Sequence, residues 1–266
     1  MKVGGGLSYV TGPMGSGKSL FAVRHIVAYL TSARYVVTNV ELMPDAMERI
    51  AHHIARTSGR AKRARIADNL RRYYVFERDL EEGMRYRPPR STVEGRALFI
   101  WDESQNDLNN RSYRQRDDKF RNEATGGNAL LEWATQLRKL GYAGYLLSQH
   151  HENTDAQLRR VCNYLVRLQN QREQVRLLGM RVTPWPLFLA YWYPSHTGLT
   201  HTRVQPVRVD RYLLSWHRHL YDTHGLYHGL AALPDRDWIE LPHGGLPARA
   251  SVPELPGGAV AGELPA

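Results

Sequence analysis

Eight consecutive residues, Gly12-Pro13-Met14-Gly15-Ser16-Gly17-Lys18-Ser19, fit the pattern G-x-x-x-x-G-K-[ST] at every fixed position. Glycines at these spacings let a backbone curl until successive N–H groups face one anion. A helix that starts where the curl ends adds the partial positive charge of its N-terminus. A lysine at that point reaches the β- and γ-phosphates of a nucleoside triphosphate, and the hydroxyl after it holds Mg²⁺. Gly12, Pro13, Gly15, Ser16, Gly17, Lys18, Ser19 and Leu20 are therefore the expected nucleotide-binding set. Lys18 also acts on the phosphate to be transferred, and Ser19 is the first candidate metal ligand.

A phosphate loop needs carboxylates to complete it. Asp102 and Glu103 directly follow the apolar run Ala97-Leu98-Phe99-Ile100-Trp101. An aspartate there suits Mg²⁺, bound directly or through water. The glutamate beside it suits a general base that orients and deprotonates the attacking water. Gln149 follows the run Tyr145-Leu146-Leu147-Ser148. In a parallel sheet it would share a carboxyl edge with Asp102 and the glycine loop, where it could sense the γ-phosphate or position the water. Arginines are the usual source of the remaining positive charge in such sites. Arg138, before the Gln149 strand, is one candidate, and Arg159 and Arg160 come after it in rank.

The elements that must hold these residues are legible in the periodicity. Leu7 to Thr11 reads as a strand, Leu20 to Leu30 as a helix and Arg34 to Val40 as a second strand. Strand, glycine turn, helix and strand open a parallel α/β sheet. Ala97–Trp101 reads as a buried strand, Asn106 to Gly127 as a polar loop, and Asn128 to Leu140 as a helix ended by Gly141. Gly144 to Ser148 and Tyr164 to Leu168 are further strands. Pro186 to Tyr193 is apolar but far short of the ~20 residues of a membrane span, and reads as a buried strand. Val204 to Val209 is strand-like within a less regular region. The expected fold is a P-loop α/β domain with a mainly parallel central sheet flanked by helices, followed by a small irregular C-terminal region. Residues 1–225 are expected to form that domain, and 226–266 a C-terminal extension, disordered from about Pro242 where Gly, Pro and Ala dominate.

The chain has 266 residues, 42% of them hydrophobic and 23% charged, which are globular proportions. Its 36 Lys and Arg against 26 Asp and Glu leave a formal charge of +10, which suits an anionic partner such as nucleic acid or a membrane surface. Much of the basic charge lies in an insert at about 44–95. There Arg56, Arg60, Lys62, Arg63, Arg65 and Arg90 are interleaved with Tyr73, Tyr74, Phe76 and Tyr86. Such a stretch either tracks DNA phosphates and stacks on bases or forms a solvated helical face with a strand behind it. A single cysteine, Cys162, excludes an intrachain disulfide and suits a reducing cytoplasm. The N-terminus has no signal-peptide pattern. His217, His219, His224 and His228 lack the spacing of a closed zinc site.

Taken in order, GPMGSGKS, VVTNV, FIWDESQ and LRKLGYAGYLLSQH resemble the zonular occludens toxin (Zot) family of P-loop ATPases, which includes assembly ATPases of filamentous phages and is grouped with FtsK/HerA-type motors. Tyr221-Asp222-Thr223-His224 is similar to a short segment near the end of the family's ATPase domain. The resemblance covers roughly residues 5 to 225. It implies ATP and Mg²⁺ as cofactors and Asp102 and Glu103 as the Walker B pair. It also implies Gln149 as polar sensor and Arg111 in a position where such proteins commonly carry an arginine. Filamentous-phage members continue into a membrane span and a second domain, and neither is found in these 266 residues.

The expected activity is ATP hydrolysis that powers phage or mobile-element morphogenesis, by a homo-oligomer in the cytoplasm or peripheral to the host inner membrane. Its partners would be DNA or phage and membrane assembly proteins. One alternative is a DNA-translocating packaging or transfer motor. Another is a nucleotide-gated interaction protein with little turnover, against which Glu103 argues.

Overall fold

The structure is a computed structural model that describes residues 6–57, 69–76, 83–84, 94–104, 128–150, 156–171, 176–177, 180–181, 187–194, 204–213 and 216–221. Its first half runs β1 (Gly6–Thr11), α1 (Lys18–Thr31), β2 (Tyr35–Thr38), α2 (Ala46–Thr57), β3 (Tyr73–Val75) and β4 (Ala97–Trp101). The second half runs α3 (Ala129–Gln136), β5 (Tyr142–Ser148), α4 (Ala156–Val161), β6 (Tyr164–Asn170), the short pair β7 (Arg176–Leu177) and β8 (Met180–Arg181), β9 (Leu187–Pro194) and β10 (Arg208–Leu213). A 3₁₀ turn, Trp216–Leu220, follows.

Among the described residues one eight-stranded sheet has the order β10-β9-β6-β1-β5-β4-β2-β3. From β6 to β3 neighbouring strands pair in parallel; β9 and β10 join antiparallel beyond β6. The central strands are buried on both faces, which explains why their sequences are continuous apolar runs rather than alternating ones. On one face α1, α2 and the 3₁₀ turn cover a core that includes Leu20, Ile26, Leu30, Ile50, Val166 and Trp192. On the other, α3 and α4 cover Leu7, Tyr9, Phe99, Trp101, Trp133 and Tyr142. Phe99 sits at the centre of that second layer, edge-on to Trp133 at 4.7 Å and stacked with Phe76 at 5.6 Å.

The described architecture is the P-loop α/β fold anticipated from the sequence, with three local differences. α3 ends at Gln136, not Leu140, because the Leu137 N–H reaches the Ala134 carbonyl and tightens the last turn. β10 begins at Arg208, so the strand-like piece at 204–209 is displaced along the chain. β9 lies where the buried strand was expected at Pro186 to Tyr193, but it and β10 join the sheet antiparallel, at variance with its parallel majority. The 3₁₀ turn is fastened by the Met43 N–H, which donates to the Leu220 carbonyl at 2.8 Å, and by His53 stacked on Trp216 at 4.5 Å. His217 also stacks on Trp216, at 4.5 Å. No group of three or more metal-ligating side chains occurs among the described residues, and no described helix is long and apolar enough to cross a membrane. Residues 226–266, Arg60 to Arg65 and the loop expected at 106–127 lie outside the described residues.

Two buried groups stand out chemically. The Cys162 thiol donates to the Leu158 carbonyl at 3.3 Å, and burial pushes it up to about 12. His25 of α1 lies between Phe21 at 4.2 Å and Tyr145 at 4.9 Å, with Nδ1 2.8 Å from the Phe21 carbonyl and Nε2 buried without a partner among the described residues. Burial lowers the imidazole from 6.5 to about 4, so the fold favours its neutral form. Between these values the unfolded chain binds more protons, and stability present above 6.5 is lost as pH falls toward 4, by at most about 3 kcal/mol. Thermal denaturation followed from pH 7.5 to 4.5 should therefore show a falling Tm. His25→Phe, which keeps a ring in the stack, should make that decline shallower, and His217, also lowered to about 4, accounts for part of what remains.

Candidate nucleotide site

β1 carries the chain to Thr11 at the carboxyl edge of the sheet, and the loop from Gly12 to Gly17 turns it into α1. Gly15 and Gly17 adopt left-handed conformations, with φ of 74° and 91°. Gly17 caps α1 in that conformation, so the helix opens on the loop with its first N–H groups directed there. The loop is braced from three sides. The Ser16 N–H donates to the Pro13 carbonyl at 3.1 Å, and the Phe21 N–H to the Gly17 carbonyl at 2.8 Å. Asn170, at the end of β6, donates from Nδ2 to the Gly15 carbonyl at 3.2 Å. A Cβ at Gly17 would lie 2.5 Å from Phe188 of β9, and one at Gly12 would lie 2.5 Å from the Ser16 hydroxyl. Met14 stands at the tip, 84% exposed. Leu20 is in the core, so its share in a phosphate site is its backbone N–H alone.

The Lys18 ammonium crosses the loop and donates to the carbonyls of Gly12 at 2.7 Å and Pro13 at 3.1 Å. Burial lowers its proton affinity, while the charges of Asp102 and then Glu103 raise it. Those two carboxylates thus act on Lys18 across the sheet, although β5 lies between β1 and β4. Asp102 is itself raised by burial; the Glu103 N–H donated to it, and Lys18, hold it down in part. The bond from Glu103 N to Asp102 Oδ1 is 2.9 Å. Glu103 has a φ of 54°, a left-handed conformation that a side chain adopts only when its surroundings enforce it.

β5 fills the gap between the two halves. Thr11 pairs with Ser148 and Trp101 with Leu146, so Gln149 emerges between the loop and Asp102. The Thr11 hydroxyl donates to the Gln149 carbonyl at 3.3 Å. Arg138 lies elsewhere: it precedes β5 at the amino edge, where it pairs with Glu94 at 3.5 Å. The strands' length therefore separates Arg138 from the phosphate loop of its own chain. Arg111 is outside the described residues. The hard oxygen donors of Ser19 and Asp102 fit Mg²⁺ in kind.

Four participants are not evident in the sequence pattern. Asn170 and Phe188 brace the loop from strands distant in sequence. Asn39, after β2, hydrogen-bonds the backbone of Asp102. Tyr221 is buried close enough to Asp102 to feel its charge, and burial first and Asp102 second push its phenol up to about 12. The signals available were slight: a polar residue ending the apolar run YVVT for Asn39, and the Tyr-Asp segment for Tyr221.

The sequence profile of the family described as Zonular occludens toxin (Zot) matches residues 6–212, most of the chain. This chain belongs to the Zot family. No characterised protein sequence matches it closely enough to count as a relative. Among solved structures it is similar to the N-terminal domain of zonular occludens toxin from Neisseria meningitidis, at 13% identity over 83% of this chain and 100% of that one, with a TM-score of 0.39. It is also similar to the RadB recombinase, at 17% identity over 82% and 91% and a TM-score of 0.43. A third is B204, the DNA-packaging ATPase from Sulfolobus Turreted Icosahedral Virus, at 12% identity over 77% and 96% and a TM-score of 0.40.

The loop geometry separates two substitutions that look alike on paper. Gly15→Ala and Gly17→Ala each force a left-handed alanine, at about 1–2 kcal/mol. Among the described residues a Cβ at Gly15 meets nothing within 4 Å, whereas at Gly17 it overlaps the Phe188 ring. Chemical denaturation should show a modest loss for Gly15→Ala and a clearly larger one for Gly17→Ala. Equal losses would mean that Phe188 does not confine the loop.

Proposed function

We propose that this Zot-family chain is a Mg²⁺-dependent ATPase that powers assembly or export of a phage or related mobile element. The observation that carries the reading is electrostatic: Lys18, braced on the phosphate-loop carbonyls, lies in the field of both Asp102 and Glu103 at one sheet edge. That arrangement suits a triphosphate with its cation. Loop N–H groups and Lys18 receive the phosphate oxygens, and Ser19 and Asp102 would hold the metal. Mg²⁺, when bound, neutralises charge on the β- and γ-oxygens. Glu103 takes a proton from water as the water oxygen bonds to the γ-phosphorus. The bond from that phosphorus to the bridging oxygen breaks, and ADP leaves with the electron pair. In the same reading Gln149 orients the water. In this reading the protein is a homo-oligomer, because the transition state calls for a further positive charge on the far side of the γ-phosphate. An arginine from a neighbour, Arg111 or Arg138, would supply it.

A DNA-translocating motor is the second reading, favoured by the formal charge of +10. Duplex or single-stranded DNA added to the ATPase assay should raise the rate severalfold if DNA is the cargo. It should leave the rate unchanged if the motor engages only assembly proteins.

Substitutions divide the roles. Lys18→Ala should abolish turnover without lowering Tm. Glu103→Gln should retain ATP binding while slowing hydrolysis by about 10²–10⁴-fold, the usual worth of a general base. Hydrolysis at the wild-type rate by Glu103→Gln, in an assay cleared of contaminating ATPases, would place the base elsewhere. Mixing Lys18→Ala chains with Arg138→Ala or Arg111→Ala chains should restore part of the lost activity if a neighbour's arginine completes the site.

A further inference from the structure

The turn after β4 carries the proposed metal ligand Asp102 and the proposed general base Glu103, and is held from each side. Ser104 anchors one end: its N–H and its hydroxyl each donate to the Leu147 carbonyl of β5 at 2.9 Å. Asn39 anchors the other. Its Nδ2 donates to the Asp102 carbonyl at 2.9 Å, and its Oδ1 accepts the Asp102 N–H at 2.7 Å. A single carboxamide thus satisfies both backbone groups of one residue. The β2–β4 pairing ends at Thr38 beside Ile100. The Asn39 side chain continues that ladder by one rung where the backbones part. Between the two anchors Glu103 is confined to its left-handed φ of 54°.

Asn39 is fixed in turn. The Val40 N–H donates to the Thr38 hydroxyl at 3.0 Å, and the Tyr73 phenol of β3 donates to the Val40 carbonyl at 2.6 Å. Few side chains meet these demands. An aspartate of the same size keeps the acceptor but sets a carboxylate oxygen against the Asp102 carbonyl. An alanine provides neither bond. A peptide N–H and C=O left unpaired in a half-buried turn are costly, and the left-handed glutamate is the conformation that would relax first.

We propose that Asn39 is a positioning residue for hydrolysis: through the Asp102 backbone it holds Glu103 in the strained conformation that aims its carboxylate at the reacting water. The proposal rests on the ATPase reading above. It predicts that Asn39 matters to the chemical step and to the local order of the turn, and little to nucleotide capture, which belongs to the loop from Gly12 to Ser19.

The test uses full-length Asn39→Ala and Asn39→Asp beside the wild type, each first shown to be folded by its Tm. Single-turnover ATP hydrolysis should fall by about 10–100-fold in both, the range typical when an outer hydrogen-bond partner of a metal-site carboxylate is removed. The affinity for ATP should change by no more than about threefold, so that the loss appears in the chemical step. Asn39→Asp should be as slow as Asn39→Ala despite its matching volume, because it lacks the donor. Without nucleotide, the amides of Glu103 and Ser104 should exchange hydrogen at least about tenfold faster in both variants. Combined with Glu103→Gln, Asn39→Ala should add less than about a twofold loss, as expected of two residues acting as one unit. Wild-type hydrolysis and exchange in a folded Asn39→Ala or Asn39→Asp protein would overturn the proposal and leave the ATPase reading intact. So would losses that multiply with Glu103→Gln, since those indicate a general structural role. A wild-type protein that binds ATP without hydrolysing it would overturn both.

Discussion

With Thr11 beside Ser148 and Trp101 beside Leu146, parallel pairing brings the ends of β1, β5 and β4 to one edge of the sheet. Every charged group at the candidate site depends on that register. A slip of one residue would turn each side chain to the other face, and the buried runs on both faces of these strands resist it. The loop, Gln149 and the Asp102–Glu103 turn thus inherit their order across the edge from hydrophobic burial several residues away. The charges gain from the same arrangement. Lys18 loses hydration at this edge and recovers part of the cost from the charges of Asp102 and Glu103.

The same logic explains what the amino-acid sequence reveals and what it hides. β1, β4 and β5 are continuous apolar runs because both their faces are covered, and such runs are easily read. The phosphate loop is equally legible, since the need for glycine at Gly15 and Gly17 leaves a fixed spacing. β10 was displaced because its alternation is broken by Asp210, which accepts bonds from Trp192 Nε1 at 2.8 Å and Arg208 Nε at 2.8 Å and so belongs to a half-covered edge. α4, only six residues long, has too few turns to show a period. Asn39, Asn170 and Phe188 carry no local signature because their roles exist only across strands 63, 155 and 171 residues distant in sequence from what they brace.

The helix behind the loop tolerates unusual polarity. His25 Nε2 and the phenols of Tyr145 and Tyr212 are all buried without hydrogen-bond partners among the described residues. Aromatic packing compensates. Phe21, His25, Tyr145 and Trp192 form one connected stack beneath α1, and the Arg24 guanidinium lies 4.7 Å over the Tyr212 ring. Tyr212 stacks in turn on Phe188, which closes on Gly17. Arg24, Tyr212 and Phe188 therefore connect α1 to the loop at its N-terminus, beside the separate ring cluster under the helix. The antiparallel strands β9 and β10, peripheral to the sheet, shape the loop through them.

Cys162 has a further consequence. The Cys162 thiol is buried directly after α4, and burial pushes it up to about 12, so it stays protonated and out of a probe's reach. It is also the sole sulfhydryl in 266 residues. Towards maleimide chemistry the natural polypeptide is consequently silent, with no background to engineer away. A cysteine installed at Met14, fully accessible at the tip of the loop, would accept a fluorophore by itself and turn the protein into a single-dye reporter of whatever arrives there.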